Sequence, residues 1–91
     1  MRWRGELEIG NALSGAGKCV EAIKHFDTIV AKAPKAQRVL ASFGKASCYE
    51  ELDDLDNAYE IFSSIKDEYP TPAVIELKMQ KIKRRKILRK R

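Results

Sequence analysis

The stretch that decides the fold runs from Lys18 to Pro34 and reads KCVEAIKHFDTIVAKAP. Its apolar residues recur three and four positions apart, which is typical of an amphipathic helix, and the proline ends it. The pattern returns 36 residues later in residues 54–70, DLDNAYEIFSSIKDEYP. The matched pairs are Ala22 with Ala58, Phe26 with Phe62, Ile29 with Ile65, and Pro34 with Pro70. A fixed offset of this kind indicates a helical repeat.

Hydrophobic spacing is helical along the rest of the chain as well, without sustained period-2 alternation. Glycine, aspartate and proline residues break it at positions 15–17, 34, 53–54 and 70–72. These breaks predict five helices. We expect the first to end near Ser14, the second to span residues 18–32 and the third to follow Pro34. The fourth should follow Asp53 and Asp54, which are turn-prone and can cap an N-terminus. The fifth begins at Pro72, with Thr71 as its N-cap.

The 91 residues fit one small domain with a single continuous core. We therefore expect one all-α domain over residues 1–91. In the fifth helix, an apolar stripe is predicted to pack against the preceding helices; it consists of Val74, Ile75, Leu77, Met79 and Ile82. Cys19 and Cys48 lie in helical segments and are interpreted as small buried side chains, because zinc sites need further ligands and the chain has one histidine, His25.

At this point the residues resemble the tetratricopeptide repeat, a helix–turn–helix unit of 34 residues. The first copy matches at Gly10, Leu13, Gly17, Ala22, Phe26 and Pro34, and the second at Ala46, Tyr49, Leu55, Ala58, Phe62 and Pro70, with Asp53 at the turn glycine. The resemblance implies an α-solenoid, a right-handed superhelix of five helices. It places repeat 1 at about 3–34, repeat 2 at about 37–70 and a basic capping helix at about 72–91.

Three features depart from the family pattern. Glu6 and Ser42 occupy positions that are usually large, and we expect Trp3 and Val39, one turn earlier, to fill that space. The period exceeds the usual one by two residues, which we place in the connection at residues 35–37. Only two copies are present, whereas solenoids generally need about three to bury a continuous core. The last helix, self-association or further repeats must therefore cover the ends.

The resemblance also implies a concave groove that binds a peptide or helix. Its predicted lining residues are Arg4, Leu7, Glu8 and Asn11 in the first copy, and Leu40, Phe43, Gly44 and Ser47 in the second. Only Asn11 fits the subclass that holds a terminal carboxylate, so an apolar partner helix anchored on Leu7, Leu40 and Phe43 is the better interpretation. Alternatively, some of these side chains pack beneath a neighbouring helix.

The net charge of +5 is unevenly distributed, because residues 73–91 hold nine basic residues and one acid, Glu76. The predicted basic patch comprises Lys81, Lys83, Arg84, Arg85, Lys86, Arg89, Lys90 and Arg91. This patch is interpreted as the solvated side of a helix. Alternatively, it binds nucleic acid, a ribosome or an anionic surface, or it acts as a nuclear import signal. The acidic residues between Glu50 and Glu60 are interpreted as a solvated turn, and alternatively as a site for a basic ligand or another molecule's basic tail.

No catalytic, cofactor or metal site is predicted. Residues 12–19 resemble a phosphate-binding loop only superficially, because Ala12 and Cys19 replace its first glycine and its hydroxyl residue. We therefore expect a noncatalytic scaffold that binds a protein or peptide, with symmetric homodimerisation through an exposed repeat end as an alternative. With no apolar run long enough to cross a membrane and no export signal, a cytoplasmic location is expected, or a nuclear one in a eukaryotic cell.

Overall fold

The computed structural model describes residues 2–89 and places them in five α-helices. The helices are α1 (Arg2–Gly15), α2 (Cys19–Lys32), α3 (Lys35–Glu51), α4 (Leu55–Ile65) and α5 (Pro72–Arg89). Each helix packs on the next along the chain, and α1 also packs on α3. The predicted all-α class and the five helices are confirmed, and no strand occurs within residues 2–89.

The helix boundaries follow the predicted break residues. Asp54 caps α4, because its Oδ1 accepts a hydrogen bond from the backbone N–H of Asn57 at 3.4 Å. Proline supplies the first residue of α5, where a missing N–H has no cost. The prediction for residues 35–37 is wrong: these residues form the first turn of α3, and only Ala33 and Pro34 separate it from α2.

The turn between α1 and α2 and the turn between α3 and α4 share one geometry, at positions 36 residues apart. Gly17 has φ +80° and Asp53 has φ +66°, so both lie in the left-handed region. The next N–H reaches back five residues in each case, from Lys18 to the Leu13 carbonyl at 2.8 Å and from Asp54 to the Tyr49 carbonyl at 2.8 Å. This confirms that Asp53 takes the place of a turn glycine.

The core consists of two adjoining clusters that share α3. The first cluster contains Cys19, Ala22, Phe26, Ile29, Ala33, Ala41 and Cys48. The second contains Val39, Ala46, Leu55, Ala58, Phe62, Ile65, Ile75 and Ile82. Ala22 and Ala58 are fully buried, as the repeat pattern predicts. Trp3 packs against the first cluster and Val39 lies in the second, so both occupy the space expected of them.

The ring of Phe26 joins three helices. It is fully buried, and its tip lies against the backbone of both α1 and α3. A Cβ atom added to Gly10 would meet the ring at 2.6 Å, and one added to Gly44 would meet it at 2.5 Å. Both distances are far below a normal carbon–carbon contact of about 3.5–4.0 Å. The approach of α1 and α3 therefore depends on glycine at both positions.

The predicted packing stripe of α5 is only partly correct. Ile75 and Ile82 are buried in the second cluster, and Met79 packs against it. Val74 and Leu77, however, are exposed. Neighbours one and two positions from Ile75 are rotated by about 100° and 200° around a helix of 3.6 residues per turn, so they cannot share its face. The packed face of α5 is narrower than the sequence pattern suggested.

Candidate binding groove

One face of α3 is left uncovered by the helices on either side. Ala41 and Cys48 face the first cluster with α2, whereas Val39 and Ala46 face the second cluster with α4. Leu40 and Ser47, seven residues apart, lie between these two packed faces on the helical wheel. Leu40 is 40% exposed and Ser47 is half-buried. They form the centre of the surface that we call the groove.

On α1, the predicted groove residues form a mostly polar rim. Arg4 and Glu8 pair along the helix, with Arg4 Nε 3.6 Å from Glu8 Oε1, and both side chains are highly exposed. Such an exposed pair contributes little to stability. Asn11 is exposed, whereas Leu7 is half-buried against the first cluster. Of these residues, Leu7 serves chiefly in packing and the other three face solvent.

Phe43 packs against aromatic rings beneath α5. Its ring stacks on Tyr69 with centroids 4.8 Å apart and meets the edge of Phe62 at 5.6 Å. Lys78 Nζ lies 6.0 Å from the centroid of the Phe43 ring. This arrangement matches the interpretation that some predicted groove residues pack beneath a neighbouring helix. Leu40 is the exposed apolar side chain that remains at the centre of the groove.

Leu40 borders an apolar cleft of about 480 Å³ at the start of α3. The other lining residues are Lys35, Ala36, Val39, Glu68 and Pro70. Lys35 Nζ is 2.8 Å from Glu68 Oε2, so an ion pair joins α3 to the segment after α4 across this cleft. Apolar walls flanked by a few charged groups are the usual composition of a site that accepts an apolar side chain.

The other end of the groove is charged. A cleft of about 420 Å³ is lined by Ser47, Glu50, Glu51, Lys78 and Arg85. The half-buried carboxylate of Glu50 lies 3.8 Å from Lys78 Nζ and 3.7 Å from Arg85 Nη1. These ion pairs bridge α3 and α5, whose backbones approach each other less closely than those of α1 and α3. The groove thus runs from an apolar end to a polar end.

Much of the predicted basic patch pairs with the chain's own acidic turn. Arg85 Nη2 is 3.1 Å from Asp53 Oδ1, Arg89 also pairs with Asp53, and Lys86 pairs with Asp56. Lys83 Nζ lies 5.6 Å from the Tyr59 ring centroid, whereas Lys81 and Arg84 are exposed. Lys90 and Arg91 lie outside the described residues. Both charged stretches are visible in the sequence, but their pairing within one molecule is not.

A small polar cluster lies where α1, α2 and α3 meet. Cys19 Sγ donates a hydrogen bond to Glu51 Oε2 at 2.8 Å, and Cys48 Sγ donates one to Ser14 Oγ at 3.4 Å. Both thiols are buried, as predicted. Burial, reinforced by hydrogen bonds with Cys48 and Glu51, raises the pKa of Cys19 to about 12. Cys19 therefore stays protonated at neutral pH and is a poor nucleophile.

His25 connects the first two helices. Its Nδ1 lies 2.8 Å from Glu6 Oε2, and both side chains are about one-third exposed. Glu6, which occupies a position usually taken by a large residue, thus holds α1 to α2 through a polar contact. This partner was not identified from the sequence.

Comparison with known proteins supports a repeat protein. Residues 40–72 match a family model described as tetratricopeptide repeat. No curated protein and no solved structure gave a significant match. Within residues 2–89, no helix is both long and apolar enough to cross a membrane. Tetratricopeptide repeats generally bind protein partners and generally act as noncatalytic interaction scaffolds. The match over residues 40–72 and the five-helix fold fit a tetratricopeptide-like repeat protein.

Proposed function

We propose that this protein binds a peptide or helical segment of a protein partner in the groove formed by α1, α3 and α5. The observation that carries this proposal is the uncovered face of α3, where Leu40 is 40% exposed beside an apolar cleft of about 480 Å³. A leucine in this position gains burial when an apolar side chain of the partner enters the cleft. Full burial of such a side chain is worth about 1.5–3 kcal/mol.

The groove favours a partner segment with an apolar anchor and polar flanks. Lys35 and Glu68 offer one charge of each sign beside the apolar cleft. Seven residues further along α3, about 10 Å, Ser47 borders the charged cleft with Glu50 and Lys78. A segment of two to three helical turns spans this distance. Arg4, Glu8 and Asn11 supply polar contacts from α1, with Leu7 and Phe43 supporting the groove from below.

The division of the chain is part of the proposal. Two repeats at about 3–34 and 37–70 supply the first two walls of the groove, and the basic helix from about 72 supplies the third. All of residues 1–91 then act as one domain. In this arrangement α5 covers the end of the second repeat through Ile75 and Ile82 and closes the groove with Lys78 and Arg85.

The ion pairs of α5 favour groove binding over binding of nucleic acid or an anionic surface. Phosphate binding depends on basic side chains that are free to replace counterions. Arg85, Lys86 and Arg89 instead neutralise Asp53 and Asp56 of the same chain. A phosphate ligand would have to compete with these carboxylates, which lowers the gain from each contact.

The proposal is tested by selecting binders from a random peptide library displayed on phage. Peptides enriched on the wild-type protein are synthesised, and their affinities are measured by fluorescence anisotropy. Leu40→Glu is expected to weaken binding by at least about tenfold, since it places a charge in an apolar anchor site. Leu52→Glu is the matched control, because Leu52 is a similarly exposed leucine that lines neither cleft.

A truncation ending at Ile82 separates groove binding from binding through the basic patch. It keeps both buried isoleucines of α5 and removes Lys83 onward, including Arg85 of the charged cleft. Groove binding should survive the truncation with at most a few-fold loss and depend weakly on salt. Peptides that bind Leu40→Glu as well as wild type, or that no longer bind the truncated protein, would refute the proposal.

A further inference from the structure

Two faces of the molecule outside the groove have no covering helix. On α5, one row of exposed residues lies opposite the buried Ile75 and Ile82. It comprises Val74, Leu77, Lys81, Arg84 and Leu88. Their spacing of three and four residues puts them on one side of the helix along about 21 Å. We call this set the α5 row.

The α5 row combines large apolar side chains with positive charge. Leu77 and Leu88 are 61% and 60% exposed, so both offer apolar area to a partner. Lys81 and Arg84 lie between them, and the row contains no acid. Glu76, the acid of α5, points elsewhere and pairs with Lys66 at 3.2 Å. The row therefore suits a surface that is apolar and acidic.

The outward side of α1 has the complementary composition. It presents Gly5, Glu8, Ile9 and Ala12, followed by Ala16 in the turn after α1, all exposed and also spaced by three and four residues. Nothing lies within 4 Å of a Cβ atom placed on Gly5, so this side is open. Small residues surround Ile9, which is 48% exposed. We call this set the α1 face.

Carboxylates surround the α1 face. Glu8 lies within it and pairs with Arg4 one turn earlier on the same helix, and Glu6 lies at its border, where it pairs with His25 of α2. Glu21 is one helical turn before His25 on the same side of α2, so it lies near the same border. Three acids thus occur around a surface of small apolar residues, opposite in sign to Lys81 and Arg84.

We propose that the α5 row of one copy of this protein packs on the α1 face of a second copy, joining the molecules head to tail. Leu77 and Leu88 pack beside Gly5, Ala12 and Ala16, as large side chains do against small ones in helix packing. Lys81 and Arg84 meet the surrounding carboxylates. Each molecule then covers both of its open ends with copies of itself.

A symmetric dimer fits these surfaces poorly. Two α5 rows in contact would set Lys81 and Arg84 against the same charges, and two α1 faces would bring carboxylates together with little apolar area. A contact between unlike faces avoids both penalties. Such a contact continues from copy to copy into an open chain unless its rotation closes a ring. Glu8 belongs to both the α1 face and the polar rim of the groove, whereas Leu40 and its apolar cleft lie outside both faces, so this proposal does not depend on the proposed function.

Sedimentation velocity over a range of concentrations from low micromolar upward tests the contact. The wild-type protein is expected to increase in mean mass with concentration. Leu77→Glu disables the α5 row and Ile9→Glu disables the α1 face, so each variant alone is expected to stay monomeric. Mixed in equal amounts, they are expected to form a dimer and nothing larger, because each contributes one intact face. Both changes lie at exposed positions, and far-UV circular dichroism checks the fold.

Two further variants control for non-specific effects. Ile87→Glu changes an equally exposed residue of α5 that lies off the row, and it should leave the mass distribution unchanged. Arg84→Glu should weaken association at least about tenfold, and adding Glu8→Lys should restore it. A wild-type protein that stays monomeric at every concentration overturns the proposal. The same holds if that monomer binds phosphatidylserine vesicles through Leu77, because the α5 row would then serve a membrane and not a second copy. Mixed variants that fail to form the dimer overturn it as well.

Discussion

Replacing Gly44 by alanine tests the packing on which the groove depends. The added Cβ would lie 2.5, 2.8 and 2.9 Å from three ring atoms of Phe26. These distances are about 1 Å short of normal carbon contacts. The ring cannot simply withdraw, because it is fully buried and its tip also meets the backbone at Gly10, where an added Cβ would lie 2.6 Å away.

The expected magnitude follows from two opposing effects. Overpacking of a tight core costs about 1–3 kcal/mol. Alanine inside a helix gains up to about 1 kcal/mol over glycine. We therefore expect Gly44→Ala to lower the free energy of unfolding by about 1–2 kcal/mol. For a domain of this size, that corresponds to a fall in Tm of roughly 5–15 °C.

Urea denaturation, followed by circular dichroism and by the fluorescence of Trp3, measures the effect. Gly5→Ala is the matched control, since nothing lies within 4 Å of its added Cβ, and it should match or slightly exceed wild type in stability. Combining Gly44→Ala with Phe26→Leu should cost less than the sum of the two single changes, because the shorter side chain relieves the overlap. If Gly44→Ala has the same free energy of unfolding as Gly5→Ala, the ring of Phe26 does not pack tightly between α1 and α3 as described.

Two other predictions concern the turn and the buried thiol. Asp53→Ala should destabilise the protein by about 1 kcal/mol at low salt and by less at high salt, because it loses the pairs with Arg85 and Arg89, which salt screens, and because alanine tolerates the left-handed region less well than aspartate. Asp53→Gly should match or exceed wild type at high salt, and a Gly variant as unstable there as the Ala variant would contradict this. Folding raises the pKa of the Cys19 thiol from about 9 to about 12, so the unfolded chain loses this proton first as the pH rises. The free energy of unfolding should therefore fall between pH 9 and pH 12. Urea titrations should show a smaller fall for Cys19→Ala, and an equal fall would exclude the thiol as its cause.

Helices and core residues were predictable because each rests on local spacing. The second helix and its buried Ala22 and Phe26 follow from apolar periodicity, and their copies at Ala58 and Phe62 follow from the constant offset. The left-handed turn at Asp53 was also accessible, because the repeat aligned it with Gly17. These features depend on neighbours within a few residues, and the repeated pattern in the chain reveals them twice.

Contacts between distant residues were not predictable in the same way. The pairs of Arg85 and Arg89 with Asp53 depend on how far α5 rotates against α4, and no local pattern records that rotation. The same rotation exposes Leu77, which the apolar stripe had placed in the core. In the groove, the burial of Phe43 depends on Tyr69 reaching it from the segment after α4. Leu40 lies between the two packed faces of α3 and is 40% exposed, because no helix within residues 2–89 covers it.

The glycine contacts around Phe26 have a consequence for how the groove responds to a ligand. Between α1 and α3, the backbone of both helices contacts the ring of Phe26 directly, so no layer of flexible side chains separates the two helices on this side of the groove. Between α3 and α5, the helices meet through longer side chains, namely Lys78 over the ring of Phe43 and Glu50 with Lys78 and Arg85. Side chains of this kind can change rotamer without moving a backbone. A ligand too large for the resting groove would therefore widen it by shifting α5, leaving the first three helices as a rigid frame.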